Sequence, residues 1–386
     1  MIITTKPTTL SLLGNLAPIT ITAAEADITL TLQEDQGDTI MTHTYTPTAA
    51  GTIEIQLKDI IRPLLTFDLR EADAPYTQTG IAKTFRVTLT ENTDTPTTQA
   101  ITFIAVRAGI DRFGGDAASF LEQNFLTWQP NTKRVTYYTP EFLTYYAPTA
   151  ANIKCTAYSP GQTENPGNSG NPGNPGNSGN SVNSGNSGTS GTSETITIDT
   201  VPAGQCHTIP TQYATILAAL RKENPSCPAP AYYDIYAEDT SGNRLTYIQR
   251  YVADIMRTDE EQWVLFENSL GGIDTFRAYG DSENTAEHTH NIAEIEETLS
   301  EYRVDTERKH RKSTGPLNAQ ERLWLLDFFP STAKYIYIPT SPISPILPII
   351  VTESDVAYNA ATLPTAYTFT YRYAQDRPLL HIPRTD

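Results

Sequence analysis

The chain has 386 residues, which is enough for two or three domains that each bury a hydrophobic core. Its formal net charge of −17 opposes binding to phosphate backbones, and no basic stripe compensates locally, so nucleic acid is not an expected partner. Only 18% of the residues are charged, while Thr and Tyr are abundant and there are 27 prolines. Thr and Tyr favour sheets and proline interrupts helices, so the composition predicts a mainly β fold.

Three cysteines are too few for a disulfide framework, and none shows the C-x-x-C spacing of a zinc site. We therefore expect reduced, packed thiols, with a Cys155–Cys206 bridge as the alternative. Residues 1–26 are too polar for the apolar core of a secretion signal. No apolar run approaches the ~20 residues that span a bilayer, so the sequence predicts a soluble chain with no membrane span.

Residues 1–110 are predicted to form a β-sandwich-like domain. Apolar residues alternate at 28–32 and again at 40–45, with a turn-rich segment between them, and this pattern indicates a hairpin. Further strands of the same domain are predicted at 53–57, 85–89 and 101–106.

Residues 111–132 are predicted to be a helical connector. Asp116 is a suitable N-cap, and Phe120, Leu121 and Phe125 follow it at near-helical spacing.

Residues 161–193 form a low-complexity segment of Asn-Pro-Gly, Asn-Ser-Gly and Thr-Ser-Gly triplets. Prolines are too few for a collagen triple helix, and nothing here can bury apolar area, so we expect a disordered insertion. Apolar residues alternate just before it, at 153–157, and just after it, at 195–198. The insertion is either a linker between domains or a lengthened hairpin loop. The slow growth of closure entropy with loop length favours the loop.

A second β-rich domain is expected over residues 133–256, with the insertion inside it. Strands are predicted at 135–138 and in a hairpin of 233–237 with 245–247. A helix is predicted at 212–222, because its apolar residues fall on one side. That side consists of Tyr213, Ile216, Leu217 and Leu220.

Residues 257–386 are predicted to form an α+β domain. Asn318 and Glu321 are spaced as a capping box, and we expect the helix that follows to bury a stripe of Leu323, Leu326 and Phe329. Residues 285–299 fit both a helix and strands. Other strands are predicted at 262–266, 273–279, 335–338, 349–351 and 367–373.

No catalytic signature is found: the sequence lacks a nucleophile elbow, a P-loop, a zinc-protease motif and a dinucleotide fingerprint. We therefore expect no enzyme activity and no cofactor. His288 and His290 would share one face of a strand, but no third ligand of matching spacing accompanies them, so an exposed polar edge is expected rather than a metal site. Asp274 and Glu267 could be drawn as a carboxylate pair of glycosidase type, which we interpret as coincidence in an acidic chain.

Two surface features remain. A small basic patch at 308–312 is interpreted as a solvated edge or a contact with an acidic neighbour. Aromatic residues also cluster in sequence, and exposed rings of this kind anchor subunit interfaces or stack on sugars, whereas alternation places about half of them in the core. The candidate interface or glycan contacts are Trp128, Tyr137, Tyr138, Tyr145 and Tyr146, with Phe142 in the same run.

Five phrases carry a resemblance to a known family. They are FLTWQP at 125–130, VTYYTPEFLTYY at 135–146, LTYIQRY at 245–251, WVLFENSLGGIDTFR at 263–277 and ERLWLLDFFP at 321–330. Together they resemble proteins encoded among the tail genes of phages and prophages of Bacteroidales gut bacteria. The ENSLGG segment at 267–272 is the most specific part, and the resemblance covers most of the chain outside the insertion.

The resemblance implies a virion tail or tail-tip component that is assembled in the cytoplasm of the bacterial host, and it brings no catalytic residues. We accordingly expect a non-enzymatic structural protein that forms homo-oligomers, contacts other tail proteins and reaches a host cell-surface glycan. A glycan-binding surface adhesin is the alternative, and a polysaccharide-degrading enzyme is less favoured.

Overall fold

The computed structural model describes residues 1–35, 37–159, 193–256, 258, 260–295, 297–339, 344–356 and 365–375. In these ranges the chain is mainly β, with five sheets and four short α-helices, as the composition predicted. No helix in this part of the chain is long and apolar enough to cross a membrane.

The first region is a sandwich of two sheets. The small sheet has the order β1-β3-β6, and the larger sheet has the order β2-β9-β8-β4-β5, in which only the β2–β9 pair is parallel. Alternating apolar residues from both sheets, such as Ile21, Leu30 and Phe85, fill one core between them. The elements are β1 Ile2–Thr5, β2 Leu10–Leu12, β3 Ile19–Thr22, β4 Ile28–Glu34, β5 Thr39–Tyr45, β6 Ile53–Ile55, α1 Lys58–Ile61, β7 Tyr76–Thr77, β8 Ala82–Glu91 and β9 Thr97–Val106, with 3-10 turns at Leu13–Asn15 and Arg62–Leu64.

The second region contains a five-stranded sheet of order β10-β16-β15-β12-β13 and a three-stranded sheet of order β11-β14-β7. Because β7 comes from the first region, this smaller sheet joins the two regions by backbone hydrogen bonds. Helix α3 covers the shared core with the four side chains that its periodicity predicted. The elements are α2 Ala117–Gln123, β10 Thr132–Val135, β11 Phe142–Tyr146, β12 Ala151–Tyr158, β13 Ser193–Val201, β14 Cys206–Pro210, α3 Tyr213–Glu223, β15 Tyr232–Glu238 and β16 Gln249–Ala253.

The third region is a seven-stranded sheet of order β18-β17-β21-β22-β23-β20-β19, with one helix against it. Aromatic side chains such as Phe266, Phe276 and Phe328 form its core through edge-to-face contacts. The elements are β17 Gln262–Glu267, β18 Ile273–Ala278, β19 Ser282–Ile295, β20 Thr298–Ser313, α4 Ala319–Leu325, β21 Lys334–Tyr337, β22 Ile346–Asp355 and β23 Thr368–Tyr373.

The helix caps follow the sequence, but one buried stripe does not. Asp116 caps α2 by accepting from the Ser119 amide at 2.9 Å. Asn318 and Glu321 form the predicted capping box of α4. The predicted stripe of α4 is wrong at Leu323, which is 59% exposed, because this short helix turns Trp324 and Leu325 toward the sheet instead.

Two strand predictions need correction, and one open alternative is resolved. Residues 285–299, which fitted both a helix and strands, form strand at 285–295 and 298–299 with Glu297 in the turn between them, in the longest hairpin of the described chain. Tyr137 and Tyr138 lie in a turn after β10 rather than in a strand. The predicted hairpin of 233–237 with 245–247 is present only at its turn, where Glu238 bridges Arg244 and the Leu245 amide donates to the Ala237 carbonyl at 2.8 Å. The rest of β15 pairs with β16, which begins at Gln249.

The flanks of the low-complexity insertion pair with each other. Strands β12 and β13 pair antiparallel from Ala151 opposite Val201 to Tyr158 opposite Ser193, with one register shift between Ile153 and Lys154. The predicted pairing of the two flanks is therefore confirmed, and the segment between them connects adjacent strands of one sheet. The insertion itself, predicted to be disordered, lies outside the described residues.

Candidate functional site

The predicted aromatic contacts separate into two groups. Tyr145 and Tyr146 are buried on the two sides of β11, with 0% and 2% of their surface exposed, and Phe142 is buried as well. The Tyr145 hydroxyl donates to the Glu122 carbonyl at 3.0 Å, which fixes the ring in the core. Strand β11 is covered on both faces, so alternation does not bring either tyrosine to the surface. These two residues are core residues and are not placed to contact a glycan or a partner.

Trp128, Tyr137 and Tyr138 are exposed to 42%, 45% and 51%. Tyr137 and Tyr138 pack edge to face with ring centroids 5.0 Å apart. Trp128 has other neighbours: its indole nitrogen donates to the Ser269 hydroxyl at 3.2 Å and its ring lies beside Phe120. The structure thus pairs two of the predicted residues and places the third where the connector meets the third region.

Neither predicted ionic grouping forms a reactive site. Asp274 and Glu267 do not act as a pair, because Glu267 binds the Arg107 guanidinium at 2.5 Å while Asp274 is enclosed by other donors. His288 and His290 share a face of β19, where their ring nitrogens contact the Thr306 hydroxyl at 3.0 Å and the Glu301 carboxylate at 2.6 Å. Among the described residues, no group of three or more His, Cys, Asp or Glu side chains is arranged to hold a metal ion.

The three cysteines are reduced and buried. Burial raises the pKa of Cys227 to about 11 and raises the pKa of Cys155 and Cys206 further, so none of these thiols is a nucleophile at neutral pH. The Cys155–Cys206 bridge considered from the sequence does not form.

The ENSLGG segment forms the turn between β17 and β18, where all three regions meet. Asn268 organises it: its side-chain oxygen accepts from the amides of Leu270 and Gly272, while its amide nitrogen donates to the Leu126 carbonyl at 2.9 Å. The Ser269 carbonyl accepts from the Gly109 amide at 3.0 Å. The turn is therefore bonded both to the end of the sandwich and to the connector.

A cleft of about 380 Å³ lies beside this turn, between the first and third regions. Three of its ionic groups are engaged locally: Arg107 binds Glu267, and Asp327 accepts from the Ser269 amide at 2.7 Å. The fourth, Arg62, contacts Asp59 at 3.7 Å. The cleft is a seam between the first and third regions.

Beneath the turn lies a buried polar group that we call the junction cluster: Thr127, Lys133, Glu141, Asn268, Asp274 and Trp324. Asp274, which is 1% exposed, accepts three hydrogen bonds. They come from the Thr127 hydroxyl at 2.6 Å, the Asn268 amide at 2.9 Å and the Trp324 indole at 2.7 Å. The donors belong to the connector, the β17–β18 turn and α4, so one carboxylate joins three separate elements.

Lys133 is the cation of the junction cluster. Its ammonium binds the Glu141 carboxylate at 2.7 Å and the Gln129 side chain at 3.0 Å, and it also donates to the Thr275 carbonyl. It lies 5.2 Å from the centre of the Trp324 ring, in a cation–π contact. The second Glu141 oxygen is buried and has no hydrogen-bond partner among the described residues.

Burial, with a smaller contribution from the nearby Asp274 charge, raises the pKa of Glu141 to about 7 against the attraction of Lys133. Burial also raises the pKa of Asp274, although its three donors act in the opposite direction. Two enclosed carboxylates share one ammonium, so protonation of Glu141 removes a surplus buried negative charge. The cluster is enclosed and hydrogen-bonded, which suits it to hold domains together. Sequence reasoning missed it because its members are scattered between residues 127 and 324 with no common spacing.

Among the described elements, the β19–β20 hairpin is the most exposed to solvent. Strand β23 pairs with β20 at His310–Ser313, and the Arg372 side chain just beyond that pairing contacts the Glu307 carboxylate at 3.6 Å. Residues 285–309 continue the two-stranded ladder of β19 and β20 past the pairing with β23. We call this segment the arm. At ~3.3 Å per residue it projects about 36 Å. At its root the buried Lys312 ammonium donates to the Gly280 carbonyl at 2.8 Å and the Ser282 hydroxyl at 2.7 Å, which fixes the arm to the body.

The arm carries apolar side chains near its end. Ile292, Leu299 and Tyr302 are exposed to 59%, 71% and 69%. The predicted basic patch lies at the root: Lys309 pairs with Glu287 at 3.3 Å and Arg311 with Glu283 at 3.6 Å across the hairpin. No protein-family model matches the chain, and no curated protein is significantly similar to it.

Proposed function

We propose that the chain is a non-enzymatic structural protein that acts by assembling with other subunits, and that its setting is the tail or tail tip of a phage. The observation that carries the proposal is the arm, a two-stranded ribbon that leaves the body and exposes large apolar side chains near its end.

An isolated two-stranded ribbon is marginally stable in water, because it has no second layer on which to bury its side chains. Exposed sheet edges are also hazardous, and monomeric proteins blunt them with proline, lysine or bulges. Strand β19 contains no proline, lysine or arginine, although its pairing with β20 shifts register once, between Asn291 and Ile292. Such an element is stabilised when a partner subunit covers it, as in assemblies built by strand addition.

The setting rests on the resemblance of the five phrases to tail proteins of Bacteroidales phages. The most specific of these phrases, ENSLGG, has a structural role. Its residues form the β17–β18 turn, which contacts the first region and the connector through Asn268, Ser269 and the two glycines. A rigid body with a projecting arm is compatible with a repeated structural subunit.

The test is the native mass of the full chain, measured beside a variant in which residues 286–308 are replaced by an Asn-Gly turn. The wild-type chain should form oligomers with a defined number of subunits. The armless variant should be monomeric while keeping the circular dichroism spectrum and thermal midpoint of a folded body.

A matched control removes a segment of similar length elsewhere, residues 162–191 of the insertion. This variant should assemble like the wild-type chain. A wild-type chain that remains monomeric at high concentration, or an armless variant that still assembles, would contradict the proposal.

A glycan-binding role has narrower support, from the exposed Tyr137 and Tyr138. Their rings meet at 77°, so they present one edge and one face rather than a flat platform. If this pair binds host glycans, replacing both tyrosines by Ala should abolish glycan-array signals. The same substitutions at Tyr145 and Tyr146 are unsuitable for that test because they would disrupt the core.

A further inference from the structure

Strand β19 is the outermost strand of its sheet, and residues 283–290 of this strand are all exposed to solvent. The hydrogen bonds and ion pairs of its described side chains go to β20 of the same hairpin, as in the contact of His288 with the Thr306 hydroxyl at 3.0 Å. The outward backbone N–H and C=O groups of β19 therefore form a row that is not bonded to any described strand.

Strand β20 does not offer an equivalent edge. Strand β23 pairs with its root at His310–Ser313, and beyond that pairing the Arg372 guanidinium contacts the Glu307 carboxylate at 3.6 Å. Of the two strands of the arm, β19 is therefore the one whose outer edge is open to a further strand.

We propose that the outer edge of β19 binds β19 of a second copy of this chain in an antiparallel pair, so that two arms lie side by side around a two-fold axis. The proposal rests on the assembly function above and names its contact. The sheets of the two copies are then continuous through the paired β19 strands. The contact joins identical surfaces, so it closes as a dimer.

Symmetry and overlap leave few registers for this pair. A two-fold axis through an antiparallel pair places one residue opposite itself. The projecting part of β19 is residues 285–295, and its two copies overlap along most of their length only when the central residue lies near the middle of this segment. The candidates for the central residue are Thr289, His290 and Asn291.

Side-chain chemistry favours Asn291 as the central residue. In that register His288 lies opposite Glu294 of the second copy, and the symmetry makes two such pairs. Opposite charges placed directly across an antiparallel pair stabilise it, whereas like charges destabilise it. A centre at His290 places two imidazoles opposite each other, and a centre at Thr289 places His288 opposite His290. Asn291 suits the axis itself, because an amide carries both donors and an acceptor for a second amide.

His288 and Glu294 are both available for the contact. The Nδ1 atom of His288 meets the Thr306 hydroxyl, while its Nε2 atom has no hydrogen-bond partner among the described residues. When Nδ1 accepts from this hydroxyl, Nε2 carries the ring proton and can donate to a carboxylate. Glu294 is exposed, and it also has no partner in the described part of the chain.

Cysteine cross-linking of the full chain tests the contact, because the three native thiols are buried and do not compete. Asn291→Cys is placed opposite itself, where the Cα atoms of an antiparallel pair lie about 4.5–5.5 Å apart, within the range of a disulfide. Thr289→Cys and Ala293→Cys are the matched controls, because in this register each lies opposite the other and not opposite itself.

After oxidation, Asn291→Cys should give a disulfide-linked dimer on its own. Thr289→Cys and Ala293→Cys should stay unlinked when oxidised separately and should link when mixed. Glu294→Lys should raise the dissociation constant of the dimer about tenfold, because it replaces two attractive pairs by repulsive ones. Glu223→Lys makes the same charge change on the exposed end of α3 and should leave the dissociation constant unchanged.

A cross-link at Thr289→Cys alone, without one at Asn291→Cys, would overturn the proposed register and with it the contact of His288 with Glu294. A chain that assembles but links at none of these positions would overturn the proposal and leave the assembly function intact. A monomeric wild-type chain would overturn both.

Discussion

Gly271 approaches the backbone of Arg107 so closely that a β-carbon on the glycine would lie 2.0 Å from the Arg107 carbonyl oxygen. The glycine also has a φ of +85°, in the left-handed region that other residues rarely adopt. This contact brings the β17–β18 turn of the third region against the end of the sandwich. It explains the first glycine of the ENSLGG phrase, and the second glycine lies as close to another backbone, because a β-carbon on Gly272 would lie 2.2 Å from the Leu126 carbonyl oxygen.

Gly271→Ala should therefore destabilise the protein by more than about 3 kcal/mol, since left-handed strain and overpacking each contribute. Gly242→Ala is the matched control, because Gly242 has a φ of +86° but its β-carbon would meet nothing within 4 Å. It should cost only about 1 kcal/mol. Urea unfolding of both variants measures the difference, and equal losses would contradict the importance of the Arg107 contact.

Asp274 is the second point where the regions are joined. Replacing it by Ala leaves the Thr127, Asn268 and Trp324 donors buried without their acceptor. We expect a loss of about 3–5 kcal/mol in the free energy of unfolding. Asp59→Ala serves as the control, because that side chain is 90% exposed and should change stability by less than about 0.5 kcal/mol. A similar small effect at Asp274 would show that the cluster does not hold the domains together.

The spacing of apolar and capping residues along the chain predicted the helices and strands that depend on residues close in sequence. The helix with Tyr213 and Leu220 on its buried side and the capping box of Asn318 with Glu321 are each fixed by residues a few positions apart. The strands of the sandwich follow from alternation for the same reason. Tyr145 could not be placed, because burial of both faces of β11 depends on elements distant in sequence.

The arm and the junction cluster could not be predicted from the sequence, because both depend on how elements distant in sequence are placed. Residues 285–299 lack strong alternation of apolar and polar residues, because neither face of the arm is buried against a core. The cluster joins Lys133, Glu141 and Asp274 only after three regions have docked. In an acidic chain such polar residues are common, so the sequence does not indicate which of them are buried together.

The paired ends of β12 and β13 predict that the insertion is dispensable for folding. Replacing residues 162–191 by a short Gly-Ser turn keeps Tyr158 opposite Ser193. The loop shortens by roughly three doublings, so closure entropy should stabilise the fold by about 2 kcal/mol at most. Thermal unfolding should show an unchanged or raised midpoint. A lowered midpoint would mean that the insertion packs against the body.

Glu141 predicts an unusual pH dependence of stability. Its folded pKa of about 7 lies above the ordinary value of 4.5, so the folded state holds a proton that the unfolded chain releases between these values. The stabilisation from this proton is complete below pH 4.5 and is lost as pH rises through 7. It amounts to roughly 3 kcal/mol.

Glu141→Gln keeps the size of the side chain and removes its titration. Urea unfolding at pH 5 and pH 8 should show a smaller fall in stability with rising pH for this variant than for the wild-type chain. Glu223→Gln, on the exposed end of α3, should leave the wild-type pH dependence in place. If Glu141→Gln retained the full dependence, the protonation of this carboxyl would not govern the stability of the junction, and the remaining charges of the cluster, Lys133 and Asp274, would have to balance each other without it.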